Sequence, residues 1–185
     1  MSNRTIITAF VFTALAGIIA FAAPIIDQEQ VNLSTSATLA VGGASQQKLA
    51  QVFTAGRTGQ LTHITVPIAC DPNATVTVKI VKAPGDFPSS SVLAQEVLAG
   101  TTFPTIVPSP GVGFRIVRFD TPATVFSGVQ YALTLEAGKE SCGVYAGPPG
   151  DSYPGGTAYF DARPNPPGWI AMLPTADLAF QTFVE

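Results

Sequence analysis

Short runs in which apolar and polar residues alternate recur along most of the chain, and they constrain its fold more than any other feature. In the clearest run, residues 75–81, Val76, Val78 and Ile80 alternate with Thr and Lys. Successive side chains of a β-strand point to opposite faces, so this period of two predicts a strand with one buried face. After the first 22 residues, no window shows the sustained 3.6-residue apolar period of an α-helix.

The alternating runs are separated by turn-forming residues, and the chain of 185 residues contains 17 Gly and 16 Pro. Both residues disfavour long helices. Because sheets that each bury one face pack against each other, we predict an all-β fold, a two-sheet antiparallel β-sandwich of jelly-roll-like type, with a barrel as the alternative. The other strands are predicted at 46–54, 61–68, 92–98, 114–119, 130–136, 157–162 and 177–184, with short ones near Val31 and Val144.

The first 22 residues carry the most specific signal in the chain. Arg4 precedes 22 residues without charge, Thr5 to Ile26, and residues 20–22 (Ala-Phe-Ala) match a signal-peptide cleavage site. We therefore predict a hydrophobic signal helix at residues 1–22, followed by a single domain at residues 23–185. A retained signal-anchor is the alternative, since such a segment is long enough to span a bilayer. Both interpretations predict a secreted or cell-surface protein.

Export affects the interpretation of the two cysteines, Cys70 and Cys142. An even number of cysteines in an oxidising compartment favours a disulfide between them. Two separate buried thiols are the alternative. A zinc site is not predicted, because His63 is the only histidine and the Cys spacing fits no ligand pair.

The charge of the chain argues against nucleic acid as a partner. Charged residues make up 11% of the chain and the formal net charge is -3. Binding to a phosphate backbone requires a basic surface, which this composition does not provide.

Catalytic motifs are absent from the sequence, which contains no G-x-S-x-G, H-E-x-x-H, P-loop or G-x-G-x-x-G pattern. His63 lies in the middle of a predicted strand, on a face expected to meet solvent. We therefore predict no catalytic residue and no enzymatic activity. The remaining enzymatic alternative is a small polysaccharide-active enzyme, whose sheet face would carry Tyr145, Arg115, Arg118 and His63.

Aromatic residues with polar edges concentrate in the C-terminal third, in or beside the longest irregular stretch, residues 146–175. Such rings suit stacking on sugars and are enriched at binding surfaces. Packing beneath the loop is the alternative explanation. The candidate ligand-binding residues are Tyr145, Tyr153, Tyr159 and Trp169.

Two acidic residues, Asp151 and Asp161, flank the Gly-rich turn and are candidate ligands of a structural Ca²⁺. No D-x-D-x-D spacing supports them, and Asp also stabilises turns through its own backbone hydrogen bonds. No other cofactor is expected.

Several segments together resemble a group of bacterial extracellular β-sandwich domains. They are AQVFTAGRTGQLTHITVPI (residues 50–68), TVTVKIVKAPGDFPSSSVLAQEVL (75–98), FDTPATVFSGVQYALTLEA (119–137), YPGGTAYFDARPNPPGW (153–169) and DLAFQTFV (177–184). These domains resemble the choice-of-anchor surface proteins and jelly-roll carbohydrate-binding modules. The resemblance implies an extracellular sandwich and assigns no activity.

Together, these features predict a non-catalytic secreted or cell-surface protein that binds glycan or extracellular matrix through its C-terminal aromatic loops. A structural or adhesive protein that associates with copies of itself is the alternative. A membrane is expected as a partner only if residues 1–22 are retained.

Overall fold

The structure, a computed structural model, describes residues 23–34, 38–106, 113–162, 168–172 and 176–185. Strands dominate this part of the chain, which confirms the predicted all-β fold. The predicted signal helix at residues 1–22 lies outside the described residues. The strands are β1 (Ile25–Gln30), β2 (Thr38–Gly42), β3 (Lys48–Thr54), β4 (Gly59–Val66), β5 (Ile68–Cys70), β6 (Thr75–Lys82), β7 (Val92–Ala99), β8 (Arg115–Val125), β9 (Gln130–Ala137), β10 (Ser141–Pro149), β11 (Ala158–Asp161), β12 (Ile170–Ala171), β13 (Ala176–Leu178) and β14 (Phe180–Val184).

One layer of the fold is a six-stranded sheet in the order β12-β11-β3-β9-β6-β7. Its strand pairs are antiparallel. The alternation in β6 works as predicted, because Val76, Val78 and Ile80 are fully buried on the inner face. On β9, Leu133 and Leu135 face the same core.

The opposing layer combines the four-stranded sheet β1-β14-β4-β8 with the strands β13-β10-β2. Strand β10 joins the two parts. Its Tyr145 forms backbone hydrogen bonds with Pro67, which lies between β4 and β5, and with Ala179, which lies between β13 and β14. The N–H of Tyr145 donates to the Pro67 carbonyl at 3.0 Å, and the Tyr145 carbonyl accepts from Ala179 at 3.4 Å. On either side of this point, β10 pairs with β5 and with β13.

The core lies between the layers and draws on strands of both. Phe53 on β3 and Phe180 on β14 are fully buried, and their ring centroids are 6.2 Å apart across the layers. Complete burial of a side chain of this kind stabilises the fold by about 1.5–3 kcal/mol. The predicted two-sheet antiparallel sandwich is therefore confirmed.

The predicted disulfide between Cys70 and Cys142 is present. The two residues lie directly opposite each other on β5 and β10, with Cα atoms 4.0 Å apart. The bridge therefore links β10 covalently to β5. The described part of the chain contains no helix with the length and apolar character that a membrane span requires.

The prediction that His63 faces solvent is wrong. Its side chain is only 7% exposed, because its ring stacks on Phe183 with centroids 4.2 Å apart. The two residues pair across β4 and β14 on the outer face of the four-stranded sheet. Burial, and then the charge of Arg118, lower the pKa of His63 below 6.5. Its surroundings are those of a packing residue.

Candidate functional site

Tyr153, one of the candidate ligand-binding residues, lies in the core. Its ring meets Phe180 edge-on, with centroids 5.0 Å apart. Its hydroxyl donates to Gln28 Oε1 at 2.7 Å, and burial raises the pKa of this hydroxyl above its ordinary value. For Tyr153, the packing explanation holds.

Tyr145 lies on the opposing layer, where it pairs with Thr38 of β2. Its neighbour Val144 points into the core, so alternation along β10 turns Tyr145 outward. This position separates Tyr145 from the remaining two candidates by the full thickness of the sandwich.

Tyr159 and Trp169 come together on the outer face of the six-stranded sheet. Tyr159 is buried, and Trp169 is half-buried against the same small apolar patch. Besides Tyr159 itself, the patch consists of residues with small side chains, on which the aromatic rings can lie. They are Ala50, Val52, Val81, Ala83 and Ala132.

A cleft of about 280 Å³, here called the outer-face cleft, adjoins this patch. Trp169 forms one side of it, and residues 88–90 of the β6–β7 loop form another. Ser89 and Ser90 of that loop are polar, and further polar residues of the cleft come from β3, β6, β9 and β11. The residues from the strands are Lys48, Lys79, Thr134, Glu136 and Asp161.

The β6–β7 loop is fixed beside the cleft by Asp86. Its carboxylate accepts hydrogen bonds from the N–H and the hydroxyl of Thr157, at 3.1 and 2.5 Å. Its carbonyl accepts a hydrogen bond from the Tyr159 hydroxyl, and Phe87 packs edge-on against the same tyrosine ring. The loop is therefore attached at several points, and this wall of the cleft is preorganised.

Glu136 connects the two lysines of the outer-face cleft. Its carboxylate lies 3.0 Å from Lys48 Nζ and 2.8 Å from Lys79 Nζ. Burial alone raises the pKa of Glu136, but hydrogen bonds from Lys79 and Lys48 outweigh it and lower the pKa below 4.5. A carboxyl group held ionised in this way suits hydrogen-bond acceptance, whereas a general acid requires a raised pKa.

Asp161 adds a second carboxylate to the cleft. It lies opposite Lys48 in the register of β11 and β3, and its carboxylate accepts a hydrogen bond from the N–H of Gly168 at 3.3 Å. Gly168 precedes Trp169 in the chain, so this hydrogen bond helps to hold the indole in position beside the cleft.

Sequence reasoning did not name Lys48, Lys79, Thr134 or Glu136 as site residues, and Thr134 is the most unusual of the four. It lies on β9 between Ala50 and Lys79 of the neighbouring strands, and it is 3% exposed. Its Oγ1 is buried and has no hydrogen-bond partner among the described residues. A buried hydroxyl without a partner costs about 1–3 kcal/mol, so such atoms are uncommon.

A second cleft, of about 510 Å³, lies at the loop end of the sandwich and contains Asp86, Asp151 and Asp177. Asp177 is committed to the fold, because it accepts hydrogen bonds from the N–H groups of Ser152 and Tyr153. Burial raises the pKa of the Asp177 carboxyl above 3.8, because its effect outweighs that of the hydrogen bonds, which lower the pKa.

The two calcium candidates are not brought together. Asp151 lines the loop-end cleft and Asp161 lines the outer-face cleft. Among the residues described, no group of three or more His, Cys, Asp or Glu side chains is arranged to hold a metal ion.

A third cleft, of about 820 Å³, adjoins the second and shares Thr54 and Gln130 with it. Its walls include Leu93, Phe126 and Val129. It contains none of the candidate ligand-binding residues.

No family model matches the chain, and no curated protein is significantly similar to it in sequence. The resemblance to choice-of-anchor proteins and carbohydrate-binding modules therefore stays a prediction.

Proposed function

We propose that this chain is a non-catalytic, exported β-sandwich protein that binds glycan at the outer-face cleft. The observation that carries the proposal is the position of Trp169. Its half-buried ring lies beside a cleft whose other walls carry Lys48, Lys79, Glu136 and Asp161. An aromatic surface beside hydrogen-bonding groups of both kinds is the combination that sugar recognition uses, since rings stack on the apolar face of a sugar and hydroxyls need partners.

The rigidity of the cleft supports the same proposal. Trp169 packs against the apolar patch of the sheet, and the charged side chains stand on paired strands. A ring and polar groups that are already in place lose little conformational entropy when a ligand binds. The ring of Tyr153, in contrast, packs against Phe180 in the core.

Two features support export. Residues 1–22 have the sequence pattern of a signal peptide. The Cys70–Cys142 disulfide is typical of proteins that fold in an oxidising compartment.

A glycan array with purified protein tests the proposal, with Trp169→Ala as the loss-of-binding variant and Tyr145→Ala as its matched control. Both variants remove one partly exposed ring, but Tyr145 lies on the opposing layer. The proposal requires at least one glycan whose binding is lost in Trp169→Ala and kept in Tyr145→Ala. Wild-type protein that binds nothing across the array contradicts it.

Self-association as a structural or adhesive surface protein is the second candidate function. It is favoured by exposed apolar side chains on the outer face of the four-stranded sheet, where Ile26 and Ile116 are 45% and 54% exposed. Sedimentation velocity over a concentration series tests it, with Ile116→Lys as the variant. A concentration-dependent increase in mass that this variant abolishes supports self-association, and a monomer at all concentrations rules it out.

A further inference from the structure

Charge in the outer-face cleft is balanced. Two ammonium groups, Lys48 and Lys79, meet two carboxylates, Glu136 and Asp161. Three of these groups already form a connected network, because Glu136 contacts both lysines at 3.0 and 2.8 Å. The side chains in this network are only about one-fifth exposed, at 20–22%.

An anionic ligand is a poor match for this cleft. A carboxylate or sulfate group only accepts hydrogen bonds, so it can donate nothing to the carboxylates of Glu136 and Asp161. An anion that approaches the free N–H groups of Lys79 also comes close to the Glu136 carboxylate, which lies 2.8 Å from the same Nζ. Like charges at that distance repel, and Asp161 adds to the repulsion.

A neutral polyol meets no such penalty. Each sugar hydroxyl both donates and accepts, so it can donate to Glu136 or Asp161 and accept from the remaining N–H groups of Lys79. The ion pairs stay intact while the ligand binds. A lysine ammonium has three N–H donors, and Glu136 occupies one of those of Lys79.

Thr134 provides an independent observation that points to a ligand in the same place. This residue lines the cleft, is 3% exposed, and has a hydroxyl without a partner in the described part of the chain. Rotation about χ1 moves the threonine hydroxyl between staggered positions, and rotation about the Cβ–Oγ1 bond then aims its hydrogen. The hydroxyl can therefore leave its unpaired position and pair with a ligand hydroxyl.

We propose that the outer-face cleft selects neutral sugars over acidic or sulfated ones, and that Thr134 is a specificity residue whose unpaired hydroxyl is satisfied by the ligand. The inference rests on the proposed glycan-binding function and adds the class of glycan and a contact residue.

Calorimetry with matched pairs of glycans tests the charge rule. Suitable pairs are dextran with dextran sulfate, methyl-esterified with free oligogalacturonide, and cello-oligosaccharide with its carboxymethyl derivative. Where a pair binds, we expect the neutral member to bind at least about tenfold more tightly. Binding of the charged member with equal or higher affinity overturns the inference, and so does wild-type protein that binds only acidic or sulfated glycans on the array. If that binding is lost in Trp169→Ala, the proposed function survives the failure, whereas wild-type protein that binds nothing across the array contradicts both.

Thr134→Val tests the contact residue, because valine keeps the shape and removes only the hydroxyl. We expect an affinity for the neutral glycan about three- to tenfold lower, with a melting temperature equal to or above that of the wild type. Thr134→Ser keeps a hydroxyl and should recover most of the affinity. Unchanged affinity in Thr134→Val overturns the role of Thr134.

Discussion

The carboxylate of Asp177 accepts a hydrogen bond from the backbone N–H of Tyr153 at 2.9 Å and thereby attaches the loop after β10 to β13. The same carboxylate accepts from the N–H of Ser152 at 2.9 Å and from Gln51 Nε2 at 3.2 Å. Asp177 is buried, so these donors have little access to water if the carboxylate is removed.

Asp177→Ala removes the acceptor of the buried Tyr153 N–H and should lower the free energy of unfolding by about 1–3 kcal/mol. The N–H of Ser152 and the amide of Gln51 keep other acceptors, the carbonyls of Gly150, Val52 and Gly156. Urea denaturation measures the change. Asp151→Ala is the matched control, because Asp151 lies in the same cleft but is exposed, and we expect a change within about 0.5 kcal/mol there. Equal effects of the two substitutions would contradict the anchoring role.

The disulfide gives the second prediction. Cys70 and Cys142 are 72 residues apart in sequence, so the bridge restricts a long loop of the unfolded chain. Replacing both residues by Ser should lower the free energy of unfolding by about 2–4 kcal/mol. Mass spectrometry after alkylation of the denatured, unreduced protein checks the bridge itself. We expect no modified cysteine without reductant, and a labelled Cys142 under those conditions would refute the bridge.

Glu136 makes stability depend on pH in a defined direction. Its pKa is below 4.5 in the folded state, because the hydrogen bonds from Lys79 and Lys48 outweigh the opposing effect of burial. The folded chain therefore holds this carboxylate ionised at pH values where the unfolded chain binds a proton. The resulting stabilisation is complete above pH 4.5 and is lost as the pH falls through the lowered pKa.

Urea unfolding at a series of pH values compares the wild type with Glu136→Gln. We expect the wild type to lose more stability than the variant as the pH falls below about 4.5. Glu140→Gln changes an exposed carboxylate at the end of the same β-hairpin region and should follow the wild type. Parallel pH profiles for all three proteins would exclude the network as a source of stability.

The pKa of His63 is shifted downward, whereas an acidic partner would shift the pKa of a histidine upward. Burial, followed by the charge of Arg118, lowers its pKa below 6.5, so the folded state favours the neutral ring. The stability that depends on this neutral ring is present above pH 6.5 and is lost as the pH falls through the lowered pKa.

An NMR titration of the His63 ring, the only histidine ring in the chain, measures this pKa directly. We expect a midpoint below 6.5 in the wild type and a higher midpoint in Arg118→Gln. Lys82→Gln, which removes an exposed cation from the six-stranded sheet, should leave the midpoint unchanged. A wild-type midpoint at or above 6.5 would show that the ring is not buried as described.

The alternation of side chains made much of the sandwich predictable, but it did not reveal every strand. Residues 75–81 and 130–136 became β6 and β9 with the expected inner faces. Strand β2 was missed because Ala40 and Gly42 alternate with Leu39 and Val41 there, which leaves little contrast between a polar and an apolar face. Strand β8 continues beyond the predicted end at residue 119 through Pro122, which an edge strand tolerates because its N–H side needs no partner.

The candidate site was predictable only in part. Trp169 and Tyr159 were named from composition, but Tyr153, from the same loop region, lies in the core because the chain path after β10 turns its ring toward Phe180. Alternation assigns a residue to a face, whereas strand register decides its neighbours. The juxtaposition of Lys79, Thr134 and Glu136 follows from the register of β6 and β9, which no local pattern encodes.

Glycan binding at the outer-face cleft is measured residue by residue in an NMR map of backbone and indole N–H shifts while a neutral oligosaccharide is added. We predict the largest changes at the Trp169 indole and at Lys79, Thr134 and Glu136, with little change at Tyr145. Shifts concentrated around Tyr145 or in the loop-end cleft, or no shifts with any neutral oligosaccharide, would contradict this prediction.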